Sequence, residues 1–159
     1  MALHTRSGEK VFALGLGGAG IGSSQRAVFF GNPGTDAQAV ATVQHALASG
    51  INLLDTSPFY GDSERRIGLA LRDGYPREQL LLSSKAGTHP VHHGYSAEAF
   101  RRSIDASLHT LGTDYLDVVH IHDPSPADFT AVMARGGGLD TLLALRAEGV
   151  VRYIGLGVR

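Results

Sequence analysis

The chain has 159 residues, of which 43% are hydrophobic and 18% charged, and its formal net charge is −1. Those proportions suit one globular domain over residues 1–159 and give no electrostatic basis for binding nucleic acid or an anionic membrane. The absence of cysteine excludes disulfides, a thiolate nucleophile and a Cys-based zinc site.

The N-terminal MALHTRSGEK lacks the apolar core of a signal peptide, and no apolar run has membrane-spanning length, so a cytoplasmic address is expected. KVFALGLGG, 10–18, predicts a strand running into a glycine-rich bend. Residues 19–34 read as irregular, with GNPG as turn chemistry. Thr35 or Asp36 caps a helix to about Ser49, with Val40, Val43 and Leu47 on one face and Gly50 as its stop. INLLD, 51–55, is the next strand. Asp62 or Ser63 starts a second helix, which Gly74 closes. LLLSSK, 80–85, is a strand, and 86–95 is a loop rich in histidine and glycine. Ser96 caps a third helix, with Phe100, Ile104, Leu108 and Leu111 at helical spacing and Gly112 as its end. LDVVHIH, 116–122, is a strand. Residues 123–137 read as loop, with a helical turn around Phe129 to Met133. Leu139 to Glu148 is a fourth helix, and RYIGLGV, 152–158, a fifth strand.

Short apolar strands alternating with amphipathic helices imply parallel pairing and right-handed crossovers. An open doubly wound sheet and a (β/α)8 barrel both fit, and both gather chemistry at the C-terminal strand ends. Those ends carry Asp55, Lys85 and His122, with Tyr60 on the loop after Asp55. Alternation along a strand puts Leu53 with Asp55, Leu81 and Ser83 with Lys85, and His120 with His122. A tyrosine ionises near pH 10, too high for a base at neutrality; a nearby ammonium favours the phenolate. Lys85 can supply that charge, with Asp55 holding it. Tyr60 then donates a proton to a carbonyl or takes one from an alcohol, and His122 bonds the same oxygen. No side chain supplies a hydride, so a nicotinamide cofactor, NAD or NADP, is implied.

LLDTSPFYG resembles the Asp-x4-Tyr-Gly signature of the aldo-keto reductases, LLLSSKAG their lysine strand, LGTDYLDVVHIHDP the segment ending in their active-site histidine, and VVRYIGLGV their fifth strand. The resemblance implies a (β/α)8 TIM-type barrel and NAD(P)-dependent carbonyl–alcohol interconversion. It implies Tyr60 as acid/base, Asp55 and Lys85 as its tuning pair, and His122 as the group orienting the substrate. IHDP, 121–124, resembles the sugar-oxidising aldose 1-dehydrogenases, and Asp123 at the mouth suits a polyhydroxylated substrate. Gly17 and Gly18, with Asp55, are expected beside the nicotinamide. A barrel of this type needs about 200–250 residues, and the chain supplies five strands and four helices of it. Gly157 and Val158 stand where many family members have Ser-Asn. The rival reading is a catalytically silent barrel portion that acts through other chains, using the exposed edge of its last strand.

GLGGAG, 15–20, matches a dinucleotide fingerprint, but FFGNPG breaks the helix that motif requires, and Asp36 falls at a helix start. No metal site is expected: His89, His92 and His93 read as a solvated loop. His120 reads as a hydrogen-bonded core histidine. Arg65–Arg66 and Arg101–Arg102 read as solvated helix faces, and Asp114 and Asp117 as structural.

Overall fold

A computed structural model describes residues 2–4, 8, 10–22, 34–72 and 74–158. Seven strands and five helices alternate along them: β1 Ala2–His4, β2 Lys10–Phe12, β3 Leu16–Gly17, α1 Asp36–Ala48, β4 Leu53–Asp55, α2 Ser63–Leu71, β5 Leu81–Ala86, α3 Ala97–Leu111, β6 Leu116–His122, α4 Pro126–Met133, α5 Gly138–Ala147 and β7 Val151–Gly157. β3 to β7 form one parallel sheet in strictly sequential order. A doubly wound sheet reverses its strand order at a switch point; a barrel does not. Sequential order therefore selects the barrel type.

The burial pattern agrees. Leu54, Leu82 and Val119 lie on one sheet face and are wholly buried. They join Val43 of α1, Ile67 of α2, Ile104 of α3 and Leu142 of α5 in a single apolar core. The helices thus cover that face, which removes apolar surface from water at about 25 cal/mol per Å2. The opposite face carries Asp55, Ser83, Lys85, Val118 and His120, aligned by the registers Asp55 with Ser83, Ser83 with Val118 and Lys85 with His120.

Local signals set the helix bounds. Thr35 and Gln38 form a reciprocal capping box at α1, and Ser96 accepts from Ala99 N at α3. Gly112 ends α3 in the left-handed conformation, φ 70°.

Three expectations need correction. The predicted 10–18 strand is two pieces: β2, which pairs antiparallel with β1, and β3, which enters the parallel sheet. The described residues contain five helices, not four, because the turn expected around Phe129 to Met133 is part of a full helix, α4. Its start is a second capping box, Ser125 with Asp128, and Pro126 sits at the first helical position, where its missing N–H costs nothing. Arg66 is no solvated side chain. It is 6% exposed, and it binds the Asp36 carboxylate and the carbonyls of Ile21 and Gly34. Its neighbour Arg65 is exposed, as read, in a two-pronged pair with Asp36. Together they hold the Asp36 carboxyl down at about 2. Arg101 pairs with Glu148, and Arg102 with Glu98, on the surface.

At the N-terminal end of β6, Asp117 is fully buried and structural, as expected. It meets Arg77 at 2.7 Å and Arg152 at 3.0 Å, and accepts from Leu82 N at 2.9 Å. Both guanidinium groups lie over the Tyr115 ring, at 3.9 and 4.6 Å. Among the described strands β7 pairs on one side only, and Leu156 and Val158 are exposed. No helix among the described residues is long and apolar enough to cross a membrane.

Candidate active site

The parallel registers bring the C-terminal ends of β4, β5 and β6 together, and the side chains selected from the sequence meet there. Lys85, 8% exposed, donates from Nζ to Asp55 Oδ2 at 2.7 Å and to the Thr56 carbonyl at 2.8 Å. Burying an ammonium is costly unless it is paired and hydrogen-bonded. Here both conditions hold, and both partners lie at the end of the neighbouring strand. The same Nζ sits 4.9 Å from the centroid of the Tyr60 ring. Tyr60 is held by a short 3-10 turn, Pro58–Tyr60, which begins when Ser57 Oγ accepts from Phe59 N. Its ring meets His122 edge-on, centroids 5.9 Å apart and planes at 90°. Asp55, Lys85, Tyr60 and His122 are therefore one cluster.

A hydroxyl network extends it. Ser83 donates to Asp55 Oδ1 at 2.8 Å and lies 3.3 Å from His120 Nδ1. His120 is thus tied to the lysine's carboxylate rather than being merely a core residue. Burial lowers its pKa most, the Asp55 charge opposes that, and the Lys85 charge adds to it. His122 Nδ1 faces Thr88 Oγ1 at 2.6 Å and Ser57 Oγ at 3.4 Å, and its carbonyl accepts from the Tyr95 hydroxyl at 2.6 Å. Burial pushes the Tyr95 phenol up, with the charges of Asp128 and Asp123 adding to it, so it stays a donor. On the helix side of β5, the buried Glu64 carboxyl accepts from Ser84 at 2.6 Å. Burial raises its pKa, against the opposing pull of the Ser84 hydroxyl.

Among the described residues Asp123 is the one non-glycine at positive φ, 45°. Its Oδ2 lies 4.0 Å from His122 Nε2. Beside the cluster is a cavity of about 370 Å3 lined by Phe59, Thr88, His93, Tyr95, Asp123 and Asp128. A larger hollow of about 680 Å3, lined by Phe12, Asn52, Tyr75 and Arg152, contains none of the cluster.

The two glycines expected beside a cofactor differ. Gly17 has open space where a Cβ would stand. Gly18 is buried, and a Cβ there would run into Ser63 Oγ and would come 2.9 Å from the Asp55 carbonyl, so packing alone accounts for this glycine. The His89–His92 pair stacks at 4.7 Å, and His89 Nδ1 accepts from the Val91 and His92 amides, which gives the loop a local structural role for its first histidine.

Ser57, Ser83 and Thr88 were not singled out from the sequence. Ser83 was within reach, since it alternates onto the Lys85 face. Thr88 and Ser57 lie on irregular segments, where no periodicity says which way a side chain points.

A parallel sheet of barrel order, with an amine, a carboxylate, a phenol and an imidazole converging at its C-terminal edge, defines an α/β chain of the barrel class. The Aldo/keto reductase family model matches residues 13–158, and the chain belongs to that family. It is 37% identical over 153 residues to an L-galactose dehydrogenase of Arabidopsis thaliana, covering 94% of this chain and 46% of that protein. It is 32% identical over 177 aligned positions to a D-threo-aldose 1-dehydrogenase of a Pseudomonas species, covering 95% and 51%. A thermostable aldo-keto reductase solved with the inhibitor epalrestat superposes with a TM-score of 0.78 at 30% identity, covering 98% of this chain and 53% of that one. The chain spans about half the length of the curated relatives it matches.

Proposed function

We propose that the chain, as a single domain over residues 1–159, carries the proton-transfer centre of an NAD(P)-dependent oxidoreductase that interconverts a carbonyl and an alcohol, with an aldose oxidised at its anomeric carbon as the favoured substrate. The observation that carries this reading is the position of the Tyr60 ring, between the buried Lys85 ammonium and the His122 imidazole. Two relatives, an L-galactose dehydrogenase and a D-threo-aldose 1-dehydrogenase, support the substrate class.

Tyr60 is the proposed acid/base. In the oxidative direction the phenolate takes the proton of the substrate hydroxyl; in the reductive direction the phenol returns it. Lys85 lies beside the Tyr60 ring, and Asp55 holds that amine in place. His122 bonds the same substrate oxygen and fixes its distance from Tyr60. Asp123 and the cavity beside it receive the hydroxyl-rich remainder of the sugar. The nicotinamide supplies or accepts the hydride that no side chain here can carry. Gly17, with open space at its Cα, and Asp55 are the residues proposed to lie against it; Gly18 contributes through packing. The residues present fit that end of the cofactor, since the open glycine pairs in the sheet with Asp55, whose carboxylate holds the lysine beside the Tyr60 ring.

Tyr60→Phe tests the assignment. Turnover of an aldose with NAD or NADP should fall at least 100-fold, the lower end of the range for a general acid/base. Cofactor affinity, read by fluorescence quenching, should stay nearly unchanged. Equal losses of affinity and rate would remove Tyr60 from the role.

A further inference from the structure

We propose that the hydroxyls of Thr88 and Ser57 lock His122 in the tautomer that carries its proton on Nε2, and that Thr88 is the positioning residue that sets this state. The functional consequence rests on the reading of His122 given above; the tautomer itself does not.

Three observations point the same way. The first is the Thr88 contact. Its Oγ1 lies 2.6 Å from Nδ1. So close a contact is a hydrogen bond between the hydroxyl and the ring nitrogen. In the proposed state Thr88 gives its hydrogen to Nδ1, the lone-pair nitrogen.

The second is Ser57. It is 0% exposed, and its oxygen already accepts the Phe59 amide hydrogen at 3.1 Å. Its own hydroxyl hydrogen needs an acceptor, and His122 Nδ1, at 3.4 Å, is the acceptor its environment provides. If Nδ1 carried the ring proton, the buried Ser57 hydroxyl and the half-buried Thr88 hydroxyl would lose this acceptor together. The neutral imidazole has one donor and one acceptor nitrogen, so making Nδ1 the acceptor settles the other.

The third lies at the far side of the ring. Asp123 Oδ2 stands 4.0 Å from Nε2. A carboxylate there favours a nitrogen that bears hydrogen over one that presents a lone pair. The backbone is fixed as well, because the Tyr95 hydroxyl holds the His122 carbonyl at 2.6 Å. The ring thus presents Nε2–H toward the mouth as a donor. A donor suits the oxygen of a carbonyl substrate, or an alkoxide forming from an alcohol; an acceptor nitrogen would compete with Tyr60 for the hydroxyl proton.

The direct test is nitrogen NMR of the chain labelled at histidine, recorded at a pH where the ring is neutral, with the His122 signals assigned by their loss in His122→Gln. The expected pattern is a pyridine-like Nδ1 and a pyrrole-like Nε2. The reverse pattern, or an average of the two forms, overturns the proposal. Thr88→Val should shift the pattern toward a mixture, and Thr88→Ser should restore it. If Thr88→Val does not fold, the wild-type spectrum still decides. In turnover, Thr88→Val should lower kcat about fivefold, one average hydrogen bond's worth, with Thr88→Ser near wild type. A chain with the expected tautomer and no aldose turnover would defeat the proposed function and leave this inference standing; a reversed tautomer in an active chain would do the opposite.

Discussion

Removing the carboxylate of Asp117 should destabilise the fold strongly without disturbing the active cluster. Asp117→Ala takes away three partners at once. The Leu82 amide loses its acceptor in a fully buried setting, which costs about 1–3 kcal/mol. Arg77, with a side chain 21% exposed, loses a 2.7 Å ion pair, though its bonds to Thr113 and to the carbonyls of Leu80 and Tyr115 remain. Arg152 is 43% exposed and simply returns to water, so its share is small. Breaking a buried pair on one side costs about 3–5 kcal/mol, and the sum of these parts lies in that range. For a domain of this size each kcal/mol lowers Tm by about 2–4 °C, so a drop of roughly 6–20 °C is expected. Arg152→Ala, by the same reasoning, should cost under about 1 kcal/mol. Asp117 and His122 lie five residues apart on one strand, roughly 16 Å at strand rise, so the His122 nitrogen shifts should be unchanged in the variant. Urea unfolding with the NMR measurement checks both halves. A loss below about 1 kcal/mol for Asp117→Ala would show that the clamp is a solvated pair and that the burial argument fails.

Glu64 should make stability depend on pH. Burial raises its folded-state pKa, so its contribution is fully present below the ordinary carboxyl value and is lost as pH rises through the raised one. Glu64→Gln stays neutral throughout, so the wild-type minus variant difference should fall with pH by at most about 1.4 kcal/mol per unit, read from urea midpoints. Parallel curves would mean that Glu64 does not titrate in this window. Gly18→Ala should cost about 1–3 kcal/mol by overpacking against Ser63 and the Asp55 carbonyl, seen in thermal melts. A variant of full stability with weaker nicotinamide binding would make Gly18 a cofactor contact instead.

The strand tips were legible because their pattern is repetitive. The three central parallel strands, β4 to β6, each carry a polar residue at or next to the C-terminal end, and Asp55, Lys85 and His122 fall on the predicted ends. Sequential strand order was not legible, since the same alternation of strands and helices serves an open sheet, and only pairing distinguishes them. The α4 helix was legible only as a turn around Phe129 to Met133, because it is short and a run of glycines follows it, although Ser125, Pro126 and Asp128 spell a helix start. Arg66 illustrates a different limit. Two adjacent arginines on one helix read alike, yet 100° of rotation separates a solvated guanidinium from one buried against Asp36 and two carbonyls. The contacts of Thr88, Ser57 and Ser83 depend on loop paths and strand registers that join residues up to 65 positions apart.

The left-handed backbone at Asp123 carries a further consequence. That conformation suits glycine better than aspartate, so the chain tolerates local discomfort one residue after its imidazole. A mutational search for thermal robustness would tend to find glycine at 123, and would discard with it the carboxylate opposite Nε2. Hardening this protein and keeping the carboxylate that the proposed sugar chemistry uses would then pull on the same codon in opposite directions.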